Sequence, residues 1–242
     1  MTADATSSLS PFRLNRQQRW ESCIHEAGHA IVAALGGYPC RELVTAPEGA
    51  ATGWQFTDCQ GVVVTGSAGF CSIDHCWPAL KHLSWNEDGY YDTDVAHAVQ
   101  HQYLKPLNRS LRARYRQGLR ALVCDLLAGP LAKTRYRGEA PLVENSGAFQ
   151  DDFLKAEAYC DLLPFRTVRE FEHARQLAVA ALEDYWPMVM TLAEALEKAG
   201  RLSEEAVFPY LPPPLANWPP SPACFHRWRW RTEPVAPNPR PE

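Results

Sequence analysis

The sequence predicts a mainly α-helical α+β fold: a helix carrying an HExxH motif, a small antiparallel sheet after it, then a helical bundle. Three observations predict it. Apolar residues recur at helical spacing across 15–35 and in several stretches after residue 93. Between them, 40–65 breaks into short β-favouring runs separated by Gly, Pro and polar residues. The apolar share of 46%, beside 21% charged residues, is that of a globular chain with material for one core.

In chain order, 1–14 reads as a flexible lead-in that ends before an N-cap at Asn15. The first helix runs to Leu35, with Ile24, Ala27, Ile31, Ala34 and Leu35 on its buried face, and Gly36 and Gly37 stop it. RELVTAP, ATGWQFT and GVVVTG supply the sheet, and 66–91 reads as loop with a short helix. Helices return over 93–104, over 110–128 until Gly129 and Pro130 break or kink the chain, and over 151–163 until Pro164. A long helical stretch follows over 167–198, with Pro187 marking a kink or a boundary. Residues 199–202 read as a turn before a last short helix opened by Ser203, Glu204 and Glu205. From 209 to 242, 11 of 34 residues are proline, a composition that cannot sustain helix or central strand. The expected units are therefore 1–14, a domain over 15–208, and a disordered or extended tail over 209–242. RWRW inside that tail reads as an aromatic-basic patch of flexible chain, with a docking peptide for a protein partner as the alternative.

Charge and composition exclude several function classes. A net charge of −4 leaves no basic excess for nucleic acid. Arg109, Arg112, Arg114, Arg116 and Arg120 form a basic stripe, read as a solvated face or as a contact between copies in a homo-oligomer. No apolar run reaches about 18 residues, so no membrane span is expected. The N-terminus lacks the basic start and apolar stretch of a secretory signal. Eight cysteines without a single CxxC then read as free thiols in a reducing cytoplasm.

The chemistry concentrates at 25–29, which read His-Glu-Ala-Gly-His. Residues four apart share one helical face, so both imidazoles can reach a single cation from a rigid backbone. Zinc suits two imidazoles and a third ligand, with one position left for water. The cation makes hydroxide available near neutral pH, and Glu26 can take the proton and pass it to a leaving amine. Ala27 and Gly28, both small, leave room for a neighbouring helix to pack closely.

HEAGHAIVAAL resembles the peptidase domain of the FtsH-type AAA zinc proteases. LLAGPLAK, SGAFQDDFLKA and LAEALEKAGRLSEEAV are similar to three later stretches of that family and occur in the family's order, so the resemblance spans roughly 20–208. It implies that His25 and His29 hold zinc, that Glu26 is the catalytic glutamate, and that an aspartate of the third stretch is the remaining ligand. Aligning forward from Ser146, Gly147 and Ala148 selects Asp151. Helical register, with Ala156, Tyr159 and Cys160 on the buried face, selects Asp152 and takes precedence, because register decides which face a ligand occupies. The other aspartate is then a first-turn charge favoured by the helix dipole. Lys133 stands where the family carries glutamate, a change expected to alter a salt bridge and not the metal site. With no GxxxxGK[ST] loop in the chain, the likeness is to the peptidase module without its ATPase, and the family's ring assembly does not carry over.

Weaker signals read as structure. His97 and His101 with Asp94 form a polar helix face, and Cys71, His75 and Cys76 lack the usual zinc-site spacing. Tyr90, Tyr91, Trp54, Trp77 and Trp85 read as core or cleft wall. The expected function is an ATP-independent zinc metallopeptidase acting on extended or unfolded polypeptides added as a strand near 53–65. The alternative is an inactive zinc-binding adaptor with a proline-rich docking tail.

Overall fold

The computed structural model describes residues 13–51, 54–73, 78–85, 91–140 and 150–222. The fold is α+β and mainly helical. Helix α1 (Arg16–Leu35) opens with a capping box: the Asn15 side chain accepts from the Gln18 N–H, and the Gln18 side chain accepts from the Asn15 N–H. Fourteen of its residues are buried, because α1 is wrapped by neighbours and does not lie on the surface with one wet face.

Its closest neighbour is α3 (Arg109–Arg137). Gly36 lies beside Ala121, and Gly28 beside Ala128 and Ala132, so the two helices run in opposite directions. A Cβ on Gly28 would stand 2.8 Å from that of Ala132. The small residues set how near the two axes come.

Gly129 and Pro130 do not end α3, so of the break or kink read from the sequence the break does not occur. Pro130 removes one rung of the backbone ladder at a cost of about 3 kcal/mol. Burial of α3 against α1, α4 (Gln150–Asp161) and α5 (Thr167–Asp184) outweighs that loss. Helix α2 (Asp94–Leu104) precedes α3. Pro187 proves to be a boundary, sitting in the first turn of α6 (Trp186–Ala199), where its missing N–H costs nothing. The guanidinium of Arg19 donates to the Glu197 carbonyl at 2.6 Å and to the Ala46 carbonyl at 3.1 Å, tying the end of α6 to α1.

The sheet departs from expectation in its membership. β1 (Cys40–Thr45) is central, paired antiparallel with β4 (Gly69–Ile73) on one side and β7 (Arg201–Ser203) on the other. Leu43 faces Cys71 and Leu202. Residues read as loop and turn thus supply both flanking strands. β2 (Gln55–Thr57) and β3 (Val63–Thr65) form a separate hairpin, and β5 (Ser84–Trp85) pairs with β6 (Tyr91–Asp92). Buried Glu42 of β1 pairs with Arg201 and accepts from the Cys59 N–H at 2.8 Å, holding the turn of the hairpin to the sheet. Helix α7 (Glu204–Val207) closes the helical part.

Two further readings need correction. The proline-rich stretch, expected as a loose tail, packs on the body as far as it is described. The Leu215 N–H donates to the Leu35 carbonyl at 3.0 Å, and Gln117 donates to the Trp218 carbonyl at 3.1 Å. His173 contacts the Pro220 carbonyl at 2.8 Å, and Trp218 is buried. Residues 223–242, including RWRW, lie outside the described residues. Arg120 is not part of a solvated stripe. It is buried and grips Glu170 of α5 through two hydrogen bonds of 2.8 Å. Among the described residues no helix is long and apolar enough to cross a membrane.

Candidate metal centre

The HExxH motif lies in the middle of α1, where the register turns His25 and His29 to the same side. Their Nε2 atoms are 3.0 Å apart. Asp152, in the first turn of α4, sends Oδ2 to 3.2 Å from His25 Nε2 and 3.7 Å from His29 Nε2. These separations match donors that share one ion. Ligands about 2.0–2.1 Å from a tetrahedral centre stand about 3.4 Å from one another. Among the described residues, His25, His29 and Asp152 are the one group of three such donors, and together they can hold a metal ion.

Asp151 points elsewhere. It accepts from the Tyr91 hydroxyl at 3.1 Å, and its other oxygen meets Lys155 of its own helix. Adjacent residues in a helix point about 100° apart, so only one of the two can face α1.

The second layer of contacts fixes the imidazoles. His29 Nδ1 donates to the Asp125 carbonyl at 2.7 Å, which leaves the Nε2 lone pair for the cation. Gly129, one turn after Asp125 on α3, packs its Cα against the same ring. Glu26 is buried, and its carboxylate lies against the backbone of Gly69 in β4, where a Cβ would come within 2.5 Å of Oε1. Sequence reasoning missed Asp125, Gly129 and Gly69. Gly129 had been read only as a helix breaker, and a backbone acceptor such as the Asp125 carbonyl carries no signature of its own.

Electrostatics agree with a proton-handling site. Burial pushes the Glu26 carboxyl up to about 8. Burial also lowers the His25 pKa, with the charges of His29 and Lys133 acting in the same direction, so His25 favours the neutral, ligating form. Burial opposes charge on His29, but hydrogen bonds with Asp125 and Asp152 outweigh it and hold its pKa well above the ordinary imidazole range. Burial is likewise outweighed at Asp152, whose carboxyl the two imidazoles hold well below the usual range.

Lys133 does take part in a salt bridge. Its Nζ is 3.5 Å from Oε2 of buried Glu21, which Arg137 also holds. The other sequence candidates do not join the centre. His97 pairs with Asp161 at 2.9 Å, and no three-donor group among the described residues includes His97 or His101. His75, Cys76, Trp77 and Tyr90 lie outside the described residues, while Trp54 stacks on Phe56 at 5.0 Å.

No protein-family model matches the chain, and no curated protein matches it.

Proposed function

We propose that the chain is a zinc-dependent peptidase, a reading carried by one observation: a buried glutamate follows His25 on the helix whose two imidazoles form a donor triangle with Asp152. His25, His29 and Asp152 would hold the zinc, which supplies a Lewis acid and lowers the pKa of water towards 7. With Nδ1 on the Asp125 carbonyl, His29 would give up its Nε2 proton to present that atom to the ion. Glu26, with a carboxyl near 8 that a neighbouring cation brings lower, is poised to accept a proton and deliver it to the departing amine. The edge strand beside Glu26 is β4, which favours an extended chain added along β4 over the β2–β3 hairpin expected from sequence. The likeness to FtsH-type peptidases supports the same assignment.

Metal content and hydrolysis of an unfolded casein test it together. Protein purified without added metal should carry about one zinc per chain, lost in His25→Ala and Asp152→Ala but retained in Asp151→Ala. Glu26→Gln should keep the zinc and lose hydrolysis by at least about a hundredfold. Wild-type turnover in Glu26→Gln, or a metal-loaded wild type with no turnover on casein, overturns the peptidase reading. The second outcome leaves a metal-binding adaptor.

A further inference from the structure

A cleft of about 500 Å³ lies apart from the metal centre. Its walls come from three places: the end of α1 and Tyr38 after it, the α2–α3 region, and the docked proline-rich segment. The segment is held over the hollow by the bonds from Leu215 to Leu35 and from Gln117 to the Trp218 carbonyl. Asn217, between them, adopts a left-handed backbone at φ 61°, the one described non-glycine residue to do so. The cleft opens to solvent, and the docked segment forms one of its walls, a concave shape that admits a small ligand.

The lining defines that occupant. Tyr38, Tyr103 and Tyr115 supply aromatic surface, the last two with ring centroids 5.7 Å apart, and Trp218 adds buried indole. Arg114 is the one charged residue of the lining and has no partner carboxylate among the described residues. In a chain with net charge −4, a lone guanidinium in an aromatic cleft with no acid beside it selects an anion. Arg114 lies about three turns before Asp125 on α3, roughly 16 Å along the axis, so no metal ligand reaches the cleft.

We infer that this cleft binds a small aromatic anion, its planar body against Tyr103 and Tyr115 and its carboxylate or phosphate on Arg114. Neither the metal centre nor peptide hydrolysis is needed for it.

Calorimetric titration of the full chain with 2-naphthoate, phenyl phosphate and neutral 2-naphthamide tests the proposal. At least one of the two anions should bind with 1:1 stoichiometry, and the tighter one names the head group. The anion should bind at least about tenfold more tightly than the amide, since a charge-assisted hydrogen bond separates them. Arg114→Met, a substitution at an exposed position, should erase that preference, and Tyr103→Ala should weaken both ligands. His25→Ala should leave the titration unchanged. Failure of both anions to bind, equal affinity for anion and amide, an unchanged preference in Arg114→Met, or loss of binding in His25→Ala would each overturn it.

Discussion

Gly129 and His29 meet face to face across the α1–α3 crossing: a Cβ on Gly129 would stand 2.3 Å from the imidazole Nε2. The glycine sits in an ordinary helical conformation, so its need is for space and not for backbone freedom. Helix propensity alone favours alanine there by about 1 kcal/mol.

Gly129→Ala should therefore keep the helical circular dichroism of the wild type while metal affinity falls by at least about tenfold, because the ring must turn away from His25 and Asp152. Competition titration against a zinc chelator measures this. Unchanged affinity would show that the ring has another resting place.

The Arg120–Glu170 pair makes a prediction about stability. Both side chains are buried, so Arg120→Met leaves a carboxylate without its counter-charge. Urea unfolding should show a loss of about 3–5 kcal/mol. In the double variant with Glu170→Leu most of that loss should return, since two apolar groups need no partner. A double variant no more stable than the single one would mean that packing around Arg120, not charge, is what matters.

His173 makes stability depend on pH. Burial lowers its pKa below the ordinary value, although its hydrogen bond with the Pro220 carbonyl and the charge of Glu170 act the other way. In the unfolded chain it titrates near 6.5. Between its folded value and about 6.5 the unfolded chain binds more protons, so its contribution to stability is complete above that pH and is lost on acidification. Urea midpoints at pH 7.5 and 5.5 should differ by less in His173→Gln, which can still donate to Pro220. Equal pH sensitivity in the two proteins would assign the effect to other groups.

Local patterns in the sequence carried the centre. The i, i+4 spacing of His25 and His29 is written in one helix, and the buried register of Ala156, Tyr159 and Cys160 already distinguished Asp152 from Asp151. Pairings distant in sequence were not legible. β7 is three residues long and becomes a strand only because β1 lies beside it. Pro130 reads as a helix breaker until α3 is seen buried on several sides. Arg120 looks like its solvated neighbours until Glu170 of α5 arrives, and Trp218 sits among prolines that gave no sign of a docking site beneath them.

The donors of the centre come from distant parts of the chain. His25 and His29 lie together on α1, whereas Asp152 comes from α4, far along the chain and packed on α3. An ion held by all three therefore acts as a clasp between early and late segments. It favours the closed chain by RT ln(1 + [ion]/Kd), about 4 kcal/mol at a thousandfold excess over Kd. Metal supply would then bear on the stability of the chain: without the ion, the tie between α1 and α4 is the one that is lost.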